Sequence, residues 1–276
     1  MAITASDVNK LRQQTGAGMM DCKNALVEAN GDFEAAIDIL RKKGQKIAAK
    51  RGDNDAKEGI ILAQTAADGQ SGIILGLNCE TDFVAKNEGY VTLVQSLVDI
   101  ALAHKPDTAD ALKALRYDDR LTVDEKITEQ IGLIGEKLEL SNYAVVDALK
   151  VVAYNHPGNQ LATLVGFSAD GSDMDEVGRQ IAMQVAAMNP IAIDKSGVDQ
   201  RTIERELEIG KELAIQEGKP AEMAEKISQG RLNKFFKENT LLSQQFIRDD
   251  KLTVEQFLEN TASGLTVTEF KRFSLS

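Results

Sequence analysis

The residues with the most chemical potential gather in one short stretch, Cys79-Glu80-Thr81-Asp82-Phe83-Val84-Ala85-Lys86-Asn87-Glu88. It offers a thiol, carboxylates, an ammonium and an aromatic ring, yet it is not a catalytic set. The only histidines, His104 and His156, fall at a helix end and in a predicted turn, and neither has a motif partner for nucleophilic catalysis. A thiol site drawn from Cys79 and a distant His is therefore disfavoured. No Gly-rich run is followed by Lys-Ser or Lys-Thr, so the chain is not expected to bind or hydrolyse a nucleotide itself. No His, Cys or carboxylate cluster has metal-ligand spacing, and no cofactor is expected. What remains is binding chemistry. Phe83, flanked by Asp82 and Lys86, is either a staple onto its own core or an apolar probe for another molecule.

The elements around the stretch must hold it still. An apolar β-type run over residues 72–79 precedes it, and an amphipathic helix starting near Glu88 follows, with Val91, Leu93, Val94, Leu97, Val98, Ala101 and Leu102 as its apolar positions. A strand-to-helix junction is where a rigid scaffold presents functional side chains. The pattern then recurs. Residues 58–106 read as strand, turn at Asp68-Gly69-Gln70, strand and helix. Residues 145–190 read as a strand over 146–154, a turn at His156-Pro157-Gly158-Asn159, a strand over 160–167 and a helix over 174–188. At the same junction the second copy has only Ala169-Asp170-Gly171-Ser172-Asp173, whereas the first carries the longer segment with Thr81-Asp82-Phe83-Val84. A segment added to one copy alone favours the probe reading of Phe83. Residues 107–144 read as joining helices with a short strand near their end.

Upstream, residues 1 to about 44 read as three short helices. Ser6 is placed to cap a helix over 7–14 that ends at Gly16; a second helix runs from Gly18 to Asn30; Asp32 caps a third, closed by Gly44. Met19 and Met20 follow the Gly16-Ala17-Gly18 turn. Adjacent helical residues lie about 100° apart, so both cannot point inward, and the outward one suits a contact with a partner. The basic run of Arg41, Lys42, Lys43, Lys46, Lys50 and Arg51 is either an RNA-facing patch or a solvated helical connector. Downstream, residues 199–238 form two amphipathic helices broken at Gly218-Lys219-Pro220. Ile203, Leu207, Ile209, Leu213 and Ala214 are expected to face Met223, Ala224, Ile227, Leu232 and Phe235 in an antiparallel hairpin or short coiled coil.

The expected organisation is α+β. It comprises an N-terminal three-helix module with its basic connector (1–52), a first half (53–144), a second half (145–198 plus 239–276), and the inserted hairpin (199–238). The net charge of −11 argues against a general nucleic-acid binder, since phosphate affinity comes from Lys and Arg. There is no apolar run near 18 residues, no visible leader at Met1-Ala2-Ile3, and the two cysteines, Cys22 and Cys79, lie in different modules. These features favour a reduced, cytoplasmic protein away from membranes.

Thr81-Asp82-Phe83-Val84-Ala85 after a short strand resembles the signature of the elongation factor Ts family. A second signature agrees: Thr15-Gly16-Ala17-Gly18-Met19-Met20-Asp21-Cys22-Lys23-Asn24-Ala25-Leu26, then Glu28-Ala29-Asn30-Gly31-Asp32. The resemblance runs through essentially the whole chain. It implies a ubiquitin-associated-like N-terminal domain, a protruding coiled coil, and no enzymatic activity. It also implies a guanine nucleotide exchange factor whose partner is elongation factor Tu carrying GDP. Thr81, Asp82, Phe83 and Val84 would form the loop that dislodges the partner's magnesium ion, with Phe83 as apolar wedge and Asp82 supplying acceptors. Gly16, Gly18, Met19 and Met20 would form the N-terminal contact. Gln184 stands where members commonly place a contacting His. The chain stops at Ser276, so the extra C-terminal helical module of some members would be absent.

Overall fold

A computed structural model of the chain describes residues 3–275. Met1 and Ala2, where the search for a leader begins, and Ser276 lie outside the described residues.

The first helices are α1 (Ala5–Thr15), α2 (Met19–Glu28) and α3 (Phe33–Arg51). Thr4, not Ser6, caps α1. Asp7 stands three residues beyond Thr4, and its carboxylate accepts from the Thr4 N–H at 3.0 Å. Three beyond Ser6 is Asn9, which is not one of the acidic or Gln partners that close a capping box, so the reciprocal arrangement selects Thr4. Gly16 ends α1 at φ 72°, donating its N–H to the Arg12 carbonyl, and Asp32 caps α3 through the Ala35 N–H. Gly44 does not close α3. The helix runs on to Arg51, so the basic run is helical, and the glycine serves a helix crossing taken up in the Discussion. Leu11, Cys22, Leu26, Ala36 and Ile37 make the core of this module.

Strands β1 (Glu58–Thr65) and β2 (Ser71–Cys79) form an antiparallel hairpin. Next come α4 (Asp82–Ala85), α5 (Glu88–His104), α6 (Ala109–Ala114) and α7 (Val123–Ile134). The chain then returns as β3 (Leu138–Asp147), antiparallel to β2 in a sheet of order β1-β2-β3. Strand β4 (Lys150–Asn155) pairs with β5 (Leu161–Phe167), which pairs with β8 (Val267–Ser274) in a second sheet of order β4-β5-β8.

The single strand expected over 146–154 is therefore two. Val146 and Asp147 pair with Gly72 and Ser71, while the Ala148 and Val151 N–H groups turn to the carbonyls of Gln70 and Gly69. Those bonds carry the chain off one sheet onto the other, and a division at 144/145 would cut through β3. Ile61, Ala63, Ile74, Val146, Val151, Ala162 and Leu164 fill the space between the sheets. Helix α5 covers Ile73, Leu75 and Leu77 of the first sheet. Helix α8 (Met174–Met188) covers Val165 and Phe167 of the second, as the repeat predicts.

Helices α9 (Gln200–Gln216) and α10 (Ala221–Asn239) make the expected hairpin, each the other's principal partner. The seam takes in part of the expected set, Ala214, Ala224 and Leu232 among it, and departs from the rest. Gly210, Ala214, Ala224, Ser228 and Leu232 are buried, while Ile209, Leu213 and Met223 are exposed. A Cβ on Gly210 would lie 3.1 Å from the Ser228 Cα, so small residues draw the backbones together here and leave Ile209, Leu213 and Met223 outside, while Ile203, Leu207, Ile227 and Phe235 are half-buried. The short strands β6 (Gln245–Phe246) and β7 (Asp249–Thr253) lead into α11 (Val254–Thr261) and then β8. Among the described residues no helix is long and apolar enough to cross a membrane.

Candidate functional site

The exposed turn at the end of β2 is built outward from buried anchors. Cys79 is buried, and its Sγ donates to the Thr81 carbonyl at 3.2 Å. Burial pushes the thiol up to about 11, so it is not a nucleophile at neutral pH. Glu80 turns inward. Its carboxylate accepts from Arg51 Nη1 at 2.8 and 2.9 Å, from Asn54 Nδ2 at 3.0 Å and from the Lys137 N–H at 2.6 Å. Desolvation raises the pKa of Glu80, but the Lys137 N–H, Asn54 and Arg51 together outweigh it and hold the group below its usual range.

Thr81 caps α4, accepting from the Val84 N–H. The same hydroxyl donates to Glu136 Oε1 at 2.7 Å, and the Thr81 N–H donates to Glu136 Oε2 at 3.0 Å. Beyond the turn, Asn87 caps α5 through Gly89 and Tyr90, and the buried Tyr90 hydroxyl donates to the Leu77 carbonyl of β2.

Within α4, Val84 and Ala85 pack against the core of the first sheet. With Val84 inward, helical geometry turns its neighbour away. Phe83 is 83% exposed, so the staple reading falls: Val84 and Ala85 do the stapling, and the ring stands in solvent. Beside it Asp82 accepts from Lys86 Nζ at 2.6 Å. That hydrogen bond and charge hold Asp82 below the usual carboxylate range and raise Lys86. The turn thus presents an exposed ring beside an ionised, accessible carboxylate.

The other expected contact residues fall elsewhere. Met19 and Met20 are 47% and 63% exposed, so both point outward where only one was expected to, while Cys22, Ala25 and Leu26 supply the inward face of α2. Gly16 provides the left-handed turn before them, and Gly18 stands at the start of α2. Gln184 is fully buried and not available at the surface. Its amide nitrogen donates to Gln244 Oε1 and the Gln245 carbonyl, both at 3.1 Å, and its oxygen accepts from the Ile247 N–H at 2.9 Å. It ties α8 to the segment that exposes Ile247.

Sequence reasoning missed Arg51, Asn54, Glu136 and Lys137. Arg51 was grouped with the basic run, whose members prove to have separate duties: Lys43 pairs with Asp21, and Arg41 donates to the Arg120 carbonyl. The signal for Glu136 is weak, a carboxylate just past the Gly135 that ends α7. Among the described residues no group of His, Cys, Asp or Glu is arranged to hold a metal ion.

A family described as elongation factor TS matches residues 80–276. Relatives extend the likeness through the N-terminal helices. The elongation factor Ts of Amoebophilus asiaticus is 56% identical over 273 residues, covering 99% of this chain and 98% of its own length. That of Cytophaga hutchinsonii is 50% identical over 275 residues, covering 99% of each chain. That of Porphyromonas gingivalis is 48% identical over 276 residues, covering 100% of this chain and 99% of its own. With a match of this length and identity, the chain belongs to the elongation factor Ts family.

Proposed function

We propose that this protein acts in translation elongation, in the cytoplasm, as a guanine nucleotide exchange factor that binds elongation factor Tu carrying GDP and promotes GDP release. The observation that carries this reading is the 83% exposure of Phe83 on a turn anchored before it by Glu80 and Thr81 and after it by the Tyr90 hydroxyl. An exposed aromatic ring on a fixed support is suited to entering another protein's surface. Phe83 enters beside the partner's nucleotide site as an apolar wedge, Asp82 supplies acceptors, and Thr81 and Val84 hold the turn. The partner's magnesium ion is displaced and its hold on the phosphates weakens.

Burying one Phe contributes roughly 1.5–3 kcal/mol. Loosening a bound nucleotide by ~10⁴ needs about 5.5 kcal/mol of differential binding. Further contacts must supply the remainder. The outward Met19 and Met20, set up by Gly16 and Gly18, are one source. The segment held by Gln184 is a second, with Gln184 acting from behind the surface, and the α9–α10 hairpin is a third. Coupling is reciprocal, so bound GDP weakens the grip of this protein on its partner by the same factor.

The test is GDP release from elongation factor Tu. Phe83→Ala should slow release strongly with the fold intact, because an exposed ring contributes nothing to the core. Asp82→Asn should be a partial defect, since an acceptor remains, and Asp82→Ala a larger one. A Phe83→Ala protein that releases GDP at the wild-type rate would sink the wedge role.

A further inference from the structure

The support beneath Phe83 is shared between three parts of the chain. Segment 135–137 and the turn exchange hydrogen bonds: the Lys137 N–H donates to Glu80, while Thr81 donates twice to Glu136. Arg51, the last residue of α3, adds a two-pronged bond to Glu80. Helix α3 starts in the N-terminal module and crosses α7 on the way, and α7 leads directly into Glu136. Arg51 at the end of α3 and Glu136 just after α7 therefore grip Glu80 and Thr81, the residues immediately before Asp82. Neither Glu80 nor Glu136 is itself presented as the ring is; both act through Thr81 and the backbone of the turn.

We infer that Glu136, with Glu80 and Arg51 behind it, is a positioning residue for exchange: it fixes the Thr81–Phe83 turn in its inserting orientation before the partner arrives. The inference rests on the exchange reading for its consequence and on the hydrogen bonds alone for its mechanics. A wedge on a loose turn must be ordered during insertion, and that ordering cost is charged against the step in which nucleotide leaves. Loosening the support therefore lowers the maximal rate and leaves first encounter, made elsewhere on the surface, largely unchanged. The N–H and hydroxyl of Thr81 demand an acceptor that bonds both. Glu does so with its two oxygens. Gln also does so once the hydroxyl turns round, its oxygen accepting from the N–H and its amide donating to the hydroxyl.

The chain contains no tryptophan, so F83W places a single fluorophore at the tip of the turn. In that background Glu136→Ala should lower the indole anisotropy of the free protein, because a turn released from its support reorients faster. Glu136→Gln should restore it. With Phe83 in place, Glu136→Ala should reduce the saturating rate of GDP release from elongation factor Tu about tenfold, the value of one lost charge-assisted bond pair, with the half-saturating concentration little changed. Combined with Phe83→Ala it should add almost nothing, because both changes remove one device. Thr81→Val, which replaces the hydroxyl that bonds Glu136 and caps α4, should act in the same direction, and Glu136→Gln, which keeps a partner for Thr81, should not; this pair of variants decides the matter if Glu136→Ala does not fold. Unchanged anisotropy, an effect confined to the half-saturating concentration, or rate losses that add in full would overturn the assignment. If the wild-type chain releases no GDP from elongation factor Tu, the exchange reading fails, while the anisotropy of the free protein still decides the brace.

Discussion

Gly44 of α3 and Gly132 of α7 meet backbone to backbone: a Cβ built on Gly132 would stand 2.6 Å from the Gly44 Cα. The crossing is what joins the N-terminal module to the first sheet, with Leu133 packing into the module's core beside it. An alanine inside a helix is ordinarily more stable than glycine by about 0.5–1 kcal/mol. Here the new methyl meets backbone that cannot swing aside, and overpacking of this kind costs typically ~1–3 kcal/mol. The clash wins, so Gly132→Ala should lower stability by about 1–2 kcal/mol, read as a reduced urea midpoint. Gly44→Ala should be milder, since its nearest neighbour is the Thr128 carbonyl oxygen at 3.1 Å. A Gly132→Ala protein more stable than wild type would mean the helices part easily.

Ser71 presents the opposite case. Its hydroxyl is buried at the start of β2 and has no hydrogen-bond partner among the described residues. A buried polar group left unpaired costs about 1–3 kcal/mol, and alanine removes it without adding volume. Ser71→Ala should therefore raise the melting temperature, with a gain of about 1 kcal/mol. Destabilisation by Ser71→Ala would show that the hydroxyl has a partner after all.

Phe83 and Gly44 show what the sequence could and could not tell. The asymmetry between two otherwise similar hairpin–helix units marked Phe83, because an added segment leaves a trace in residue order. The long amphipathic helices α5 and α8 were legible from their apolar spacing for the same reason. Gly44 misled because a glycine that ends a helix and one that admits a neighbouring helix look alike in one dimension; only the presence of Gly132 opposite separates them. Ile209 and Leu213 misled in a similar way: apolar periodicity marks a broad face, and small residues at Gly210 and Ser228 set the seam at one edge of it, with the predicted Ala214, Ala224 and Leu232 inside and Ile209 and Leu213 outside. The brace of Glu80 and Glu136 joins residues more than fifty positions apart, beyond any local pattern.

Gln184 should prove structural first. Its side chain satisfies the Ile247 N–H and bonds to the Gln245 carbonyl and the Gln244 side chain, all in a buried setting. Gln184→Leu keeps the volume and strands those groups, for an expected loss of about 2–4 kcal/mol. Hydrogen exchange should show the Ile247 amide, between β6 and β7, losing protection before the amides of the second sheet. An unchanged melting temperature would contradict the bracket.

Acid should weaken the brace through Glu80. Its pKa lies below the ordinary 4.5 in the folded protein, because its hydrogen bonds and the Arg51 charge outweigh desolvation. The sign follows from linkage: a depressed folded pKa gives stability that is complete above the unfolded value and lost as pH falls through the folded one. Glu80→Gln should cost about 1 kcal/mol near neutrality, and the gap to wild type should close as pH drops from about 5 toward 3. Urea unfolding at a series of pH values would measure it, and a gap that stays constant or widens toward acid would exclude this role.

The α9–α10 hairpin should be separable from the fold. Its two ends are already clamped where they leave the second half. Ile191 donates to the Asn239 carbonyl, Leu241 to Ala192 and Leu242 to Ile193, and Ala192 forms an isolated parallel bridge with Thr240. The helices chiefly bury each other, so removing both strands little core surface. We propose replacing residues 200–238 by a short Gly-Ser linker. Loop-closure entropy changes by only ~0.6 kcal/mol per doubling of length, and a shorter loop lowers that cost. The melting temperature should therefore shift by only a few degrees, the displacement expected for about 1 kcal/mol in a chain of this size. If the hairpin supplies part of the differential binding to elongation factor Tu, the same protein should release GDP more slowly at limiting concentration while keeping its fold. A collapse in melting temperature would instead show that α9 and α10 hold the second sheet together, and an unchanged exchange rate would remove the hairpin from the partner surface.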